Sequence, residues 1–179
     1  LAAAFGLAGG WKLAGLYTDQ AGQRVAMLPL MLTPAFTTWA FKYNANSILL
    51  LLWPWAAYYT MRMVETRTLG SAVIAGLLAG FCMLGKYYSL VLLATLGLAL
   101  LLHPARNRVL TSPAPYVAAI VALAVFAPHV WWLRENEASA ITYAFEKTQR
   151  DVAEARFTTL RSVGSGLLTL VLAAAFVWL

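Results

Sequence analysis

The stretch LGSAVIAGLLAGFCMLGKYYSLVLLATLGLALLL, residues 69–102, decides how the whole chain is read. Lys86 is its one charged residue. As a single α-helix the stretch would reach about 51 Å, far beyond the roughly 30 Å hydrocarbon core of a bilayer. Divided at Lys86, each half is about 25 Å long, close to the lower limit for a helix that crosses. The reading is therefore a hairpin of two short apolar helices whose polar tip is Gly85-Lys86-Tyr87-Tyr88-Ser89. At such a tip a glycine eases the turn and tyrosines settle at headgroup level.

The rest of the chain has the same character. Hydrophobic residues make up 61% and charged residues 11%, and the mean hydropathy is +0.71. Soluble domains are roughly half apolar and a quarter charged. Besides the hairpin arms, apolar segments run from Leu1 to about Tyr17, Val25 to Phe41, Ile48 to about Met61, Tyr116 to Leu133, and onward from about Val163. The expectation is an all-α fold, a polytopic transmembrane helix bundle of about seven spans with the first and last truncated. The sequence begins at Leu1 with neither an initiator Met nor the charged, apolar and small-residue regions of a signal peptide, and it stops within GLLTLVLAAAFVWL. Residues 1–179 thus read as a single membrane domain, incomplete at both ends. One cysteine, Cys82, and two histidines leave no disulfide framework and argue against a metal site. The net charge of +6 is scattered between apolar runs, which suits membrane orientation and not nucleic-acid binding. Walker-loop, dinucleotide-binding and H-E-x-x-H signatures are absent.

Charge sets sidedness. Alternating spans gather Lys12 and Arg24, Arg62 and Arg67, and Arg106 and Arg108 into short connections on one side. Lys42, Lys86 and the 134–161 connection fall on the other. Short basic loops stay cytoplasmic, so the first side is read as cytoplasmic. In the long connection Arg134, Lys147, Arg150, Arg156 and Arg161 are interspersed with Glu135, Glu137, Glu146, Asp151 and Glu154, and nearly cancel. Ala138, Ile141, Phe145, Val152 and Ala155 recur there at helical spacing, which predicts an interfacial amphipathic helix in this extracytoplasmic connection. It would either cover a headgroup-level site or simply join two spans.

The extracytoplasmic side therefore collects Lys42, Asn44, Asn46, Lys86, Tyr87, Tyr88, His129, Arg134 and Glu135. Cations flanked by Tyr and Trp at the acyl boundary suit a lipid phosphate, with the rings packed on chains or a sugar. For Lys86 a snorkelling helix-end anchor is the competing reading, and for Lys42 it is the preferred one. Asn44 and Asn46 would bond substrate hydroxyls or cap the helix starting near Ser47. His129 reads as a satisfied interfacial histidine before it reads as a base. Gly76 and Gly80 form a small-xxx-small pair for close helix packing.

The ordered succession LTPAFTTWAFKYNANSILLLLWPWAAYYTMRMVE (32–65), AGLLAGFCMLGKYYSLVLLATLGLALLLHP (75–104) and FAPHVWWLRENEASAITYAFEK (126–147) resembles the family 39 membrane glycosyltransferases of the C-type fold. These include the protein mannosyltransferases and the bacterial aminoarabinose and galacturonic acid transferases. The resemblance covers roughly residues 20–150. It implies transfer of a sugar from a polyprenyl-phosphate donor to a hydroxyl of a lipid, glycan or protein acceptor, in a cavity at the outer membrane surface. The setting it implies is cell-envelope glycan or lipopolysaccharide synthesis, in a multi-pass protein of the bacterial inner membrane. It implies no cofactor beyond the donor, and membrane lipid as the surroundings. Such chemistry needs a carboxylate base on the acceptor and cations on the departing phosphate. In this reading Lys86 binds the lipid phosphate with Tyr87 or Tyr88 lining the site. Lys42, Asn44, Asn46, His129, Arg134 and Glu135 are further cavity candidates. The resemblance implies an acid in the first outer loop, between the first two spans; no acidic residue here precedes Asp19, which this topology puts on the cytoplasmic side, so the base is expected upstream, with Glu135 a weak substitute. Two other readings stand beside the enzyme: a transporter or permease in which Lys86 binds an anionic solute, and a non-catalytic membrane scaffold.

Overall fold

The computed structural model describes residues 1–37 and 45–135, and everything it shows there is helix or turn. The helices are α1 (Ala2–Ala14), α2 (Gln20–Leu32), α3 (Ala45–Thr66), α4 (Leu69–Gly85), α5 (Ser89–Leu102), α6 (Arg106–Leu110) and α7 (Ala114–Glu135). The chain divides into two compact units after His129, so α1 to α6 and most of α7 belong to the first. Lys42 and Asn44 lie outside the described residues, as does the predicted amphipathic helix within 134–161.

The decisive stretch is broken at Lys86. α4 ends at Gly85, and Lys86 takes an extended conformation (φ −167°, ψ 131°) while its N–H still donates to the Cys82 carbonyl at 3.1 Å. The Ser89 N–H then donates to the Lys86 carbonyl at 2.9 Å, and α5 starts. The turn does not draw on glycine's special freedom. Gly85 is still helical, and among the described residues the one positive φ outside glycine is that of Arg67, at 54°. There the left-handed residue closes α3, its N–H on the Met63 carbonyl at 2.8 Å.

Helix bounds differ from the apolar runs for local reasons. Asp19 caps α2 by accepting from the Gly22 N–H at 2.9 Å. The helix stops at Leu32, well short of Phe41, because Pro34 pushes Thr33 out of the helical region to ψ 142°. α3 outruns its apolar run at both ends and carries Pro54 within it. α6 was not anticipated, and its Val109 is fully buried. α7 is the one helix among the described residues both long and apolar enough to cross a membrane; α4 and α5 are apolar but shorter. The all-helical expectation holds for these residues, and a count of seven spans goes beyond them.

Packing orders the helices head to tail. Gly6 and Gly9 of α1 face Leu50 and Pro54 of α3, so those two run parallel. Gly85, at the end of α4, lies against Ile48 and Leu49 near the start of α3, so those two are antiparallel. Gly76 and Gly80 meet Ala118 and Val121, then Ala122 and Val125, which sets α4 parallel to α7 across the predicted small-residue face. One end of the bundle holds a core of Met63, Val64, Ala72, Val109 and Ala114. By these directions the end of α1 with Lys12, the start of α2 with Arg24, the end of α3 with Arg62 and Arg67, and α6 with Arg106 and Arg108 share this end. The Lys86 tip is at the other.

A side chain at Gly76 would drive into the Ala118 backbone, whereas one at Gly85 would find its nearest neighbour, Ile48 Cγ2, at 3.4 Å. Gly76→Leu is expected to cost about 1–3 kcal/mol in detergent unfolding, and Gly85→Ala to be near neutral. Equal stability of the two variants would contradict this packing.

Candidate functional site

The first residues of α3, the middle of that helix, the chain after α2 and the α4–α5 tip enclose a cavity of about 550 Å³. Its wall is mostly apolar, formed among others by Leu30, Phe36, Leu50 and Trp53, with Lys86 and Asn46 as polar members. Lys86 is exposed, and its Nζ donates to Asn46 Oδ1 at 3.0 Å. Asn46 lies in the first turn of α3, and there it meets the cation across the bundle. An ammonium carries three donors, so the Asn46 bond fixes its direction without exhausting it.

Beside the cation an aromatic pair is held in place. The Trp53 and Tyr88 rings stack with centroids 6.0 Å apart and planes 18° from parallel. Trp53 Nε1 donates to Ser89 Oγ at 3.1 Å, and Ser89 Oγ donates to the Cys82 carbonyl at 2.8 Å. Ser89 is fully buried. A cation beside fixed aromatic rings, above an apolar wall, can hold an anionic headgroup while the chain attached to it packs below.

The predicted site residues separate. Lys86, Asn46 and Tyr88 line the cavity. Tyr87 instead shares a hydrogen bond with His129 Nε2 at 2.5 Å, while Phe126 packs on the imidazole at 5.4 Å. Adjacent residues at the tip thus face different partners. Arg134 and Glu135 are in the second unit, where Trp131 Nε1 donates to Glu135 Oε1 at 2.6 Å. Sequence reasoning missed Trp53, and it placed Ser47, which lines the cavity, and Ser89 only as a helix start and as part of the hairpin tip. The flanking Trp53-Pro54-Trp55 was the available signal for the first; nothing local distinguishes the serines. Among the described residues no group of His, Cys, Asp and Glu is arranged to hold a metal ion.

Of the comparisons with known proteins, a family model described as dolichyl-phosphate-mannose-protein mannosyltransferase matches residues 1–132. That span takes in every residue of the cavity wall. No curated protein and no solved structure gives a match.

Tyr87→Phe removes the tie to His129 but leaves the cavity wall complete. It is expected to lower unfolding stability by about 0.5–1.5 kcal/mol. A loss beyond about 3 kcal/mol would show that Tyr87 carries more than this bond.

Proposed function

The chain belongs to the dolichyl-phosphate-mannose-protein mannosyltransferase family, a family of membrane glycosyltransferases, and on that premise we propose that it moves a sugar from a polyprenyl-phosphate donor to an acceptor hydroxyl on the extracytoplasmic side. The observation that carries this reading is the Lys86 ammonium, directed by Asn46 at 3.0 Å, at an apolar cavity walled by Trp53 and Tyr88. A polyprenyl phosphate has the matching polarity: one anionic end and a branched hydrocarbon chain.

As the bond from sugar to phosphate breaks, negative charge grows on the phosphate oxygens. A fixed ammonium at that place lowers the barrier without having to reorganise. The apolar wall takes the first isoprene units and keeps water from the departing phosphate. Among the described residues the cavity wall carries no carboxylate. The reading therefore gives this face the donor phosphate and has the base on the acceptor supplied from elsewhere. The extracytoplasmic side of this reading is supported by the basic residues gathered toward the far end of the bundle, a bias that favours the cytoplasm.

Two experiments bear on this, both in the full-length protein. Lys86→Ala and Lys86→Gln are each expected to reduce sugar transfer by about 10²-fold or more while membrane insertion is kept. Unchanged transfer would refute the phosphate role. A cysteine at position 86 is expected to react with an impermeant maleimide from outside the cytoplasm, and one at position 106 only after permeabilisation; the reverse pattern would invert the sidedness.

A further inference from the structure

We propose that Ser89 is a positioning residue that holds the cation and the aromatic wall of the cavity in one fixed relation, so that the lipid phosphate and the chain next to it are gripped together. The proposal rests on the donor reading of the cavity and deepens it.

The geometry is a short chain of hydrogen bonds converging on one carbonyl. Trp53 Nε1 donates to Ser89 Oγ at 3.1 Å, and Ser89 Oγ donates to the Cys82 carbonyl at 2.8 Å. The same carbonyl accepts the Lys86 N–H at 3.1 Å. Ser89 also reaches Lys86 through its own N–H, which donates to the Lys86 carbonyl at 2.9 Å. One buried residue therefore touches the backbone of the cation on one side and the edge of the indole on the other. Tyr88, its immediate neighbour, stacks on that indole.

Each bond has a consequence for the site. The carbonyl of Cys82 lies in the last turn of α4 and takes its regular helical donor, the Lys86 N–H, at 3.1 Å. Ser89 supplies a second donor there, which keeps α5 close to the end of α4. The indole N–H, a donor with no acceptor of its own, would lose its partner without the hydroxyl. Its ring would then be free to turn, and the Tyr88 stack with it. Ser89 is fully buried and does not line the cavity, so its effect on a ligand must pass through Trp53 and Lys86.

The role is distinct from ordinary hairpin packing because it predicts coupling. Removing the hydroxyl should matter only while the indole N–H is present to use it. In Trp53→Phe the ring stays and the donor goes, so a further loss of the hydroxyl should change little.

The test uses the full-length protein with a polyprenyl-phosphate sugar as donor. Ser89→Ala, Trp53→Phe, the double variant and Lys86→Ala are compared by donor KM, kcat and thermal stability. The expected result is a donor KM raised roughly tenfold in Ser89→Ala with kcat much less affected. The double variant is expected to match Trp53→Phe to within about twofold. Ser89→Cys, which keeps a weak donor and acceptor in a slightly larger side chain, should recover part of the loss. A Ser89→Ala protein with lowered thermal stability but unchanged donor KM would overturn the proposal. So would effects on KM that simply multiply in the double variant; and if Ser89→Ala folds poorly, an unchanged donor KM in Trp53→Phe, which removes the indole donor from the same hydrogen-bond chain, overturns the proposal by itself. If Lys86→Ala leaves transfer intact, the donor reading itself has failed; if Lys86→Ala loses transfer and Ser89→Ala does not change KM, only the positioning role has.

Discussion

The carbonyl of Cys82 receives both the Lys86 N–H and the Ser89 hydroxyl, and the rest of the site depends on that convergence. An α-helix that continued through residue 86 would place the lysine within an apolar rod. By turning to an extended conformation there, the chain ends α4, starts α5 within three residues and leaves the ammonium at the bundle's end. The cost of the break is small because the freed backbone groups are reused: the Ser89, Leu90 and Val91 N–H groups donate to the Lys86, Tyr87 and Tyr88 carbonyls. Within the hydrocarbon core such internal satisfaction is required of any lipid-exposed backbone.

From that break follows the polarity of the bundle. Helices that alternate in direction bring the short basic connections to the end packed on Met63, Val64, Ala72 and Val109. The same alternation brings the start of α3, the residues after α2 and the hairpin tip together at the other end, around one cavity. Close approach of α4 to α7 at Gly76 and Gly80 lets the tip reach His129 through Tyr87. The outer faces are left apolar, with Leu90, Val91, Leu98, Leu101 and Leu102 of α5 all exposed, a surface suited to lipid.

Much of this was legible from residue types and spacing. A lone lysine in an apolar run too long for one span identifies the break at Lys86, and glycines four residues apart mark the packing face of α4, though not α7 as the helix it meets. Local chemistry that overrides hydropathy was harder to weigh: Val25–Phe41 looks like a span, yet Pro34 ends the helix at Leu32. The site residues were the hardest. Tyr87 and Tyr88 are indistinguishable in sequence, but one turns to α7 and the other to Trp53. Asn46 meets Lys86 across forty residues of chain, and Trp53 meets Ser89 across thirty-six, and no periodicity encodes such pairs. The family resemblance supplied the donor chemistry, which spacing alone left open between an enzyme, a transporter and a scaffold.

The most direct measurement is photocrosslinking of the full-length protein in membranes with a polyprenyl phosphate bearing a diazirine on its first isoprene unit. The account predicts labelled peptides at the hairpin tip around Lys86 to Ser89 and in the first half of α3 around Leu49 to Trp53, both competed away by unmodified polyprenyl phosphate. Competable labelling concentrated instead at the opposite end of the bundle, around Arg106 to Leu110, would contradict it.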